Sequence, residues 1–237
     1  MREVFSRTFY YVNTAINCSN LLQLIAVLEK ILGADILVFM EKEQIKGHLI
    51  LLMAPSGSGK KKVMEGLGKV ADDIYFAKTY TNRERREGVE ENSRYTFISR
   101  EDFEEAIDKG ELIEWAVFSG NYYGTPRSEL IVPLSEGRIV MKEMELQGVQ
   151  QIKKLIPEEN ITVIYIDAGS WENLRKRILA RAPMSEEHLA LRKERYEEES
   201  KFKDEADVVI DNHNGKLDVA QSTFRKVVEE IINKHHD

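Results

Sequence analysis

A glycine-rich segment, Ala54-Pro-Ser-Gly-Ser-Gly-Lys60, carries the clearest chemical signal in the chain. It follows the apolar run at residues 49–53 and precedes a stretch with helical periodicity, so it joins a strand to a helix. Glycines let successive backbone N–H groups turn towards an anion, and a lysine here reaches the outer phosphates of a nucleotide. The segment predicts a phosphate-binding loop, or P-loop, rather than an ordinary glycine-rich turn. Its predicted nucleotide contacts are Ser56, Gly57, Ser58, Gly59, Lys60 and Lys61.

Two positions depart from the general P-loop pattern, G-x-x-x-x-G-K-[ST]. Ala54 stands at the first glycine, and Lys61 stands where a serine or threonine hydroxyl would touch Mg²⁺. A lysine ammonium has donors but no lone pair, so Lys61 cannot ligate a cation and would repel one, although it could turn towards a phosphate. Because Mg²⁺ usually keeps several waters, we expect it to be held with the nucleotide mainly through phosphates and water, without a metal ligand from the protein.

Arginines form two further candidate groups. Arg83 and Arg86 could each donate paired hydrogen bonds to phosphate oxygens, although a solvated basic loop would have the same composition. Arg177 and Arg181 are four residues apart in a predicted helix and therefore share one face. Exposed ion pairs are the alternative explanation for that face.

Two carboxylates, Glu143 and Glu145, follow a buried strand pattern. Alternation along a strand predicts that both point to the same side, where they could hold Mg²⁺ through water. A polar strand end is the alternative.

Strands and helices alternate from Gly47 onward. Strands are predicted at residues 49–53, 139–141, 161–166 and 208–210, and helices at 60–71, 100–109, 127–132 and 146–155, with a charged helical stretch at 171–202. Because the first run is apolar at every position, we expect a central parallel strand that is covered on both faces. The alternation predicts an α/β fold with a doubly wound parallel sheet.

Residues 1–46 form an N-terminal extension without a chemical motif. Its pattern predicts a helix at 20–32 and a strand at 36–40. We expect the extension to pack on the main domain or to mediate self-association; a separate ligand site is the other interpretation.

Composition limits the partners of the chain. A formal net charge of -7 disfavours general nucleic-acid binding, while the local basic clusters favour small anionic ligands. The apolar runs fall short of the roughly 20 residues that a membrane span needs, so we expect no membrane segment. The single cysteine, Cys18, cannot form an internal disulfide, and the first residues lack a secretory pattern, so we expect a cytoplasmic protein.

The motifs from Gly47 to the C-terminus together resemble those of guanylate kinase, a P-loop nucleoside monophosphate kinase. The segment from Thr79 to Arg86 resembles the Ser-x-Thr-Thr-Arg-x-Pro-Arg motif of that family, and Glu143-Met-Glu145 resembles its Asp-x-Asp before Gln-Gly. The most family-specific strings are Leu112-Ile-Glu-Trp-Ala116 and Gly120-Asn-Tyr-Tyr-Gly-Thr125. The resemblance implies a P-loop fold with an inserted GMP-binding subdomain at about 78–127 and a lid at about 170–203.

The resemblance also implies roles for individual residues. Glu114 would accept hydrogen bonds from guanine N1 and the exocyclic amine, a donor pair that adenine lacks. The implied GMP contacts are Thr79, Arg83, Arg86, Tyr95, Glu114, Tyr123, Thr125, Glu143 and Glu145. The implied catalytic residues are Lys60 and the lid arginines Arg177, Arg181 and Arg192, which close over ATP. Asp211-Asn212 stands in reverse order to the family's Asn-Asp pair near adenine.

The activity that follows from the resemblance is transfer of the γ-phosphoryl group of ATP to GMP or dGMP, giving ADP and GDP for purine nucleotide metabolism. Two departures from the family motifs motivate an alternative: Lys61, and the glutamates Glu143 and Glu145, which are one methylene longer than the family's aspartates. The alternative is a catalytically weak or inactive module that binds nucleotide or a protein partner. A P-loop kinase for another small phosphate acceptor is the third hypothesis. Glu114 with Thr125 argues against that hypothesis.

Overall fold

The structure is a computed structural model that describes residues 45–85, 94–118, 120–181 and 183–236. The predicted elements at 20–32 and 36–40, together with Cys18 and Arg86, lie outside the described residues.

The described residues form the following strands and helices. The strands are β1 (His48–Met53), β2 (Ile74–Phe76), β3 (Thr79–Thr81), β4 (Tyr95–Phe97), β5 (Leu112–Phe118), β6 (Asn121–Pro126), β7 (Ile139–Glu143), β8 (Ile161–Asp167) and β9 (Val208–Asp211). The α-helices are α1 (Lys60–Glu65), α2 (Arg100–Asp108), α3 (Arg127–Ser135), α4 (Leu146–Leu155), α5 (Trp171–Arg181), α6 (Glu186–Lys201) and α7 (Leu217–His236). Short 3-10 helices cover Gly68–Asp73, Glu158–Asn160 and Phe202–Glu205. Within these residues, no helix combines the length and the apolar character needed to cross a membrane.

The central sheet has five parallel strands in the order β2-β7-β1-β8-β9. Leu49, Leu51 and Met53 of β1 pack into one buried cluster with α4, and Ile50 and Leu52 pack into a second cluster with α7. Both faces of β1 are therefore covered by helices, which explains why every position of the strand is apolar. The predicted doubly wound parallel sheet is confirmed.

A second sheet has four strands in the order β4-β3-β6-β5. It lies in the chain between β2 and α3, the part of the sequence where an insert at about 78–127 was predicted. Helix α2 begins with a capping box, in which the Ser99 hydroxyl accepts from the backbone N–H of Asp102. Fully buried Phe103 of α2 stacks on Tyr122 of β6 at a ring distance of 5.0 Å, so the helix and the sheet share a small core.

Two predicted helices have different bounds in the structure. The helix predicted at 60–71 ends at Glu65, because Gly66 and Gly68 follow and Gly68 has a φ of 57°. The charged stretch at 171–202 is two helices, α5 and α6. Helix α5 ends at Arg181, and Ser185 caps α6 by accepting from the backbone N–H of His188 at 3.3 Å. Helix α7 has no counterpart among the predicted elements.

The packing of α7 gives a test of the second core cluster. Phe224 is fully buried there, whereas Val219 on the same helix is 60% exposed. We expect Phe224→Ala to lower the free energy of unfolding by about 3–5 kcal/mol, because it removes buried apolar area and leaves a cavity. Val219→Ala is the control, with an expected change of at most about 0.5 kcal/mol. Urea unfolding followed by circular dichroism measures both, and equal effects would contradict the packing described.

Candidate active site

The P-loop joins β1 to α1 through two glycines with left-handed backbone. Gly57 and Gly59 have φ values of 87° and 85°. A Cβ atom at Gly57 would lie 2.9 Å from Ile178 Cγ1, and one at Gly59 would lie 2.9 Å from Asn212 Nδ2. Both positions therefore require glycine for backbone conformation and for space. The Asn212 amide also donates to the Ser58 carbonyl at 2.7 Å, so in this structure Asn212 supports the loop.

Lys60, the P-loop lysine, lies next to the end of strand β7. Its Nζ atom is 3.4 Å from Glu143 Oε2, and each side chain is about one-quarter exposed. The other oxygen of Glu143 is 3.2 Å from Arg94. One carboxylate is thus shared by two cations, and it ties the loop to the second sheet. Arg94 was not among the predicted site residues; its place directly before Tyr95 was the signal that could have found it.

A cavity of about 370 Å³ lies beside this ion pair. Residues from the loop helix, the central sheet and the second sheet line it, and they include Lys61, Thr79, Arg94, Tyr95, Lys142 and Glu143. We call this space the acceptor cavity. The side chain of Lys61 is exposed and belongs to its wall, so Lys61 supplies positive charge there in place of a hydroxyl.

Three predicted phosphate contacts lie together: Tyr95 and Tyr123 on the second sheet, and Arg83 in the segment that follows β3. The guanidinium carbon of Arg83 is 5.4 Å from the centroid of the Tyr95 ring, and the Tyr95 and Tyr123 rings meet edge to face at 6.4 Å. Burial raises the pKa of Tyr95, and the nearby charge of Glu143 raises it further, so the hydroxyl stays protonated and can donate. The structure brings Arg83, Tyr95 and Tyr123 together. Their fourth predicted partner, Arg86, is not among the described residues.

Glu114 and Thr125 are paired across β5 and β6. The buried Thr125 hydroxyl donates to Glu114 Oε1 at 2.5 Å. A Cβ atom at Gly148 would lie 2.6 Å from Met144 Cγ and 3.5 Å from Glu114 Oε2, so glycine at this position lets Met144 pack there, near the carboxylate. Burial raises the pKa of Glu114, while the Thr125 hydrogen bond and the charge of Lys142 oppose that rise. This pair forms an oriented acceptor in which Thr125 is buried and Glu114 is half-buried.

Lys142 is a buried charge that the sequence predictions did not include. Its residue exposure is 3%, and its Nζ atom donates to Thr79 Oγ1 at 2.5 Å, with the Ala77 carbonyl oxygen at 3.5 Å. Burial lowers the pKa of Lys142 to about 8, and the charges of Glu114, Glu129 and Glu143 oppose that shift. A lysine directly after the apolar run of the strand predicted at 139–141 was the available signal.

Strand β7 ends at Glu143, so alternation along a strand does not extend to Glu145. Glu145 is instead the exposed N-cap residue of α4. Strand alternation therefore gives no reason to expect Glu145 on the same side as Glu143. Glu145 lines a second cavity of about 170 Å³ together with Ser56, Lys60, Arg192, Arg195 and Glu199.

Two of the predicted lid arginines, Arg177 and Arg181, lie on α5, and the third, Arg192, lies on α6. Arg177 donates to the carbonyls of Ser58 and Asn212 at 3.3 and 3.0 Å, and Arg192 donates to the Ser56 hydroxyl. Both therefore contact the P-loop in this structure. Arg181, the last residue of α5, is exposed.

The P-loop follows the central strand of a parallel sheet, two helices contact it through arginines, and the acceptor cavity lies beside it. This arrangement defines the class of P-loop nucleoside monophosphate kinases. Comparison with known proteins gives the family. The guanylate kinase family model matches residues 46–231, which is most of the chain. The chain belongs to the guanylate kinase family.

Individual relatives agree with the family model. The guanylate kinase of Nostoc sp. is 40% identical over 172 residues, which cover 73% of this chain and 85% of the relative. The guanylate kinase of Malacoplasma penetrans is 32% identical over 196 residues, which cover 82% of this chain and the whole of the relative. The crystal structure of guanylate kinase from Anaplasma phagocytophilum superposes with a TM-score of 0.59 at 25% identity, covering 78% of this chain and 86% of that chain. The resemblance in the motifs is thereby confirmed.

Glu199, in the second cavity, was also missed by the sequence predictions, and it gives a pH-dependent test. Burial raises its pKa to about 7 from the ordinary 4.5, and nearby Glu145 raises it further, against the charges of Lys60 and Arg195. The folded state therefore binds a proton that the unfolded chain releases, so this stabilisation is complete below about pH 4.5 and is lost as the pH rises through about 7.

We expect Glu199→Gln to be more stable than the wild type at pH 8, by roughly 1–3 kcal/mol after allowance for solvent screening of a partly exposed group. The difference should shrink towards zero at pH 4. Urea unfolding at both pH values measures it, with Glu194→Gln, at an exposed position on the same helix, as the control. A difference that does not change with pH would contradict the assignment.

Proposed function

We propose that this chain transfers the γ-phosphoryl group of ATP to GMP or dGMP, giving ADP and GDP. The observation that carries the proposal is the half-buried Glu114–Thr125 pair on the same sheet as Tyr95 and Tyr123, with Arg83 next to Tyr95. A carboxylate held by one hydroxyl keeps further lone pairs for the N1–H and amino groups of guanine. Guanine nucleotide supply is the metabolic role that such an activity serves.

The mechanism needs two phosphates in line and their negative charge compensated. Lys60 and the loop N–H groups hold the phosphates of ATP, and Arg83, Arg86, Tyr95 and Tyr123 hold the phosphate of GMP. When ATP binds, Lys60 turns from Glu143 towards the phosphates, which leaves Glu143 paired with Arg94. Arg177 and Arg192, which already contact the loop, complete the positive shell, and Arg181 joins on closure.

Mg²⁺ would enter with ATP and neutralise charge on the transferred group. The residues around the loop fit a cation that is carried by phosphates. Glu143 lies 3.4 Å from Lys60, and Glu145 lines the second cavity together with Lys60, so both supply carboxylates that can act through water, whereas the ammonium of Lys61 cannot ligate. Residues 78–127 act in this proposal as the GMP-binding insert, and residues 170–203 act as the lid.

The second candidate is a module that binds nucleotide without turnover. Lys61 favours it, because the hydroxyl that would contact Mg²⁺ is missing. The retained Lys60, the loop glycines and the acceptor pair favour the enzyme.

A coupled assay of ADP release with ATP, Mg²⁺ and a panel of GMP, dGMP, AMP and UMP tests the substrate. We expect turnover with GMP and dGMP, and kcat/KM for AMP lower by roughly 10⁴-fold, since AMP leaves the Glu114 acceptor unpaired. Turnover with AMP but not GMP would overturn the substrate assignment. GMP binding without ADP release would favour the module.

The substitution Lys61→Ser tests the effect of the altered loop position. We expect kcat to rise by about tenfold, because the variant regains an oxygen ligand for Mg²⁺ and loses a repelling charge. Lys62→Ser is the control, since Lys62 is an exposed neighbour outside the residues that line the acceptor cavity. Steady-state kinetics at saturating ATP measures both variants. A kcat that stays unchanged in Lys61→Ser would show that this position does not limit the rate.

A further inference from the structure

The wall of the acceptor cavity includes a charged lysine side chain that the mechanism above does not use. Lys142 lines the cavity from strand β7, and its ammonium is held by the Thr79 hydroxyl on β3. Three carboxylates on three different elements act on its charge: Glu114 on β5, Glu129 on α3 and Glu143 on β7. A lysine with so little contact with water is costly unless its charge has a purpose or a partner.

The neighbouring carboxylates already have partners. Glu143 pairs with Lys60 and Arg94, and Glu129 accepts from the Tyr75 hydroxyl and the Lys78 backbone N–H at 2.8 Å each. Glu114 is held by Thr125. The Nζ atom of Lys142 donates to the Thr79 hydroxyl at 2.5 Å and to the Ala77 carbonyl at 3.5 Å, which is the longest distance for a hydrogen bond. Because neither bond goes to a carboxylate, direct ion pairing does not explain the lysine at this position. An ammonium has three donors, so at least one remains for a ligand.

The chemistry of guanine supplies an acceptor at this position. Its N1–H and 2-amino groups face a carboxylate, and the 6-oxo oxygen is bonded to the ring carbon next to N1. Lys142 and Glu114 act on each other's charge, so the ammonium lies near this carboxylate, and a donor there can meet the 6-oxo oxygen. The pKa of Lys142, lowered by burial to about 8, keeps the side chain mostly protonated at neutral pH.

We propose that Lys142 is a specificity-determining residue of the acceptor site, whose ammonium, held by Thr79, donates to the 6-oxo group of the purine. This inference rests on the proposed binding of GMP. It adds a second means of base selection to Glu114, because a 6-amino group would present donors to the ammonium. Adenine is thereby rejected at two adjacent atoms of its ring.

The test compares GMP with 6-thioguanosine 5′-monophosphate, which keeps the N1–H and 2-amino groups and replaces the 6-oxo oxygen by a weak acceptor. The ratio of their dissociation constants, from calorimetric titration into the full chain, needs no turnover. We expect the wild type to prefer GMP by roughly 10- to 100-fold, the range of a hydrogen bond to a charged group. Lys142→Met, which keeps the length and removes the donor, should bring the ratio to within about twofold of unity.

Three controls make the outcome specific. Lys154→Met, at an exposed position on α4, should keep the wild-type ratio. The ratio of GMP to inosine 5′-monophosphate, which differ only at the 2-amino group, should change by less than about twofold in Lys142→Met, since that group faces Glu114. Thr79→Val should reduce the GMP preference by about threefold or more, while Thr79→Ser keeps the hydroxyl and the preference.

These results separate the two proposals. A wild type that binds GMP in this way without releasing ADP would contradict the kinase activity and leave the role of Lys142 supported. An unchanged ratio of GMP to the thio analogue in Lys142→Met would overturn the inference even in an active enzyme, as would an equal loss for all three nucleotides. If Lys142→Met does not fold by circular dichroism, Lys142→Leu, which also removes the donor, takes its place in the comparison, because Thr79 is itself a predicted GMP contact. Absence of GMP binding to the wild type would overturn both proposals.

Discussion

The parallel pairing of β1 with β7 determines where the chemistry of this chain takes place. Leu52 of β1 is in register with Glu143 of β7, so the two strands end side by side. The P-loop leaves β1 at that edge, which places Lys60 against Glu143. The same carboxylate reaches Arg94 at the start of β4. One strand pairing thus brings the nucleotide loop, the acidic strand end and the second sheet to a common point, as expected for ligand sites at the carboxyl ends of parallel strands.

Charge is concentrated at this junction at a cost in solvation, which the structure offsets with specific partners. Lys142 of the central sheet lines the acceptor cavity, and its charge interacts with Glu114 of the second sheet. The pKa of the lysine is lowered and the pKa of the carboxyl group is raised. Each is held by a threonine hydroxyl, Thr79 or Thr125. Short, oriented hydrogen bonds of this kind keep charged groups ready for a ligand, because little reorganisation is left for the moment of binding. The site is therefore organised before either nucleotide enters.

Local patterns were sufficient to predict the family and four of the five strands of the central sheet, all except β2. The apolar run of β1, the glycines of the loop and the string around Glu114 are each contained in a few consecutive residues, and each has one structural explanation. The contacts of Lys142, by contrast, depend on Thr79, which lies 63 residues away in the chain. A lone lysine in a strand pattern carries no information about such a partner. Tertiary packing supplies it.

Other differences have equally local causes. The first loop helix is short because of two glycines, and the strand that carries Glu143 ends before Glu145 because the next residues begin α4. Arg195 and Glu199 were missed because a highly charged helix gives many candidates for every cavity and no way to rank them. Periodicity identified their helix, but only the packing of α6 against the loop distinguishes the residues that line the second cavity.

A crystal structure of the full chain with GMP tests most directly whether the guanine base lies at the Glu114–Thr125 pair. We expect the N1 edge of guanine against Glu114, the 6-oxo oxygen within hydrogen-bonding distance of Lys142 Nζ, and the phosphate between Arg83, Tyr95 and Tyr123. A base that points to solvent, or a phosphate bound at the P-loop with the acceptor cavity empty, would contradict it.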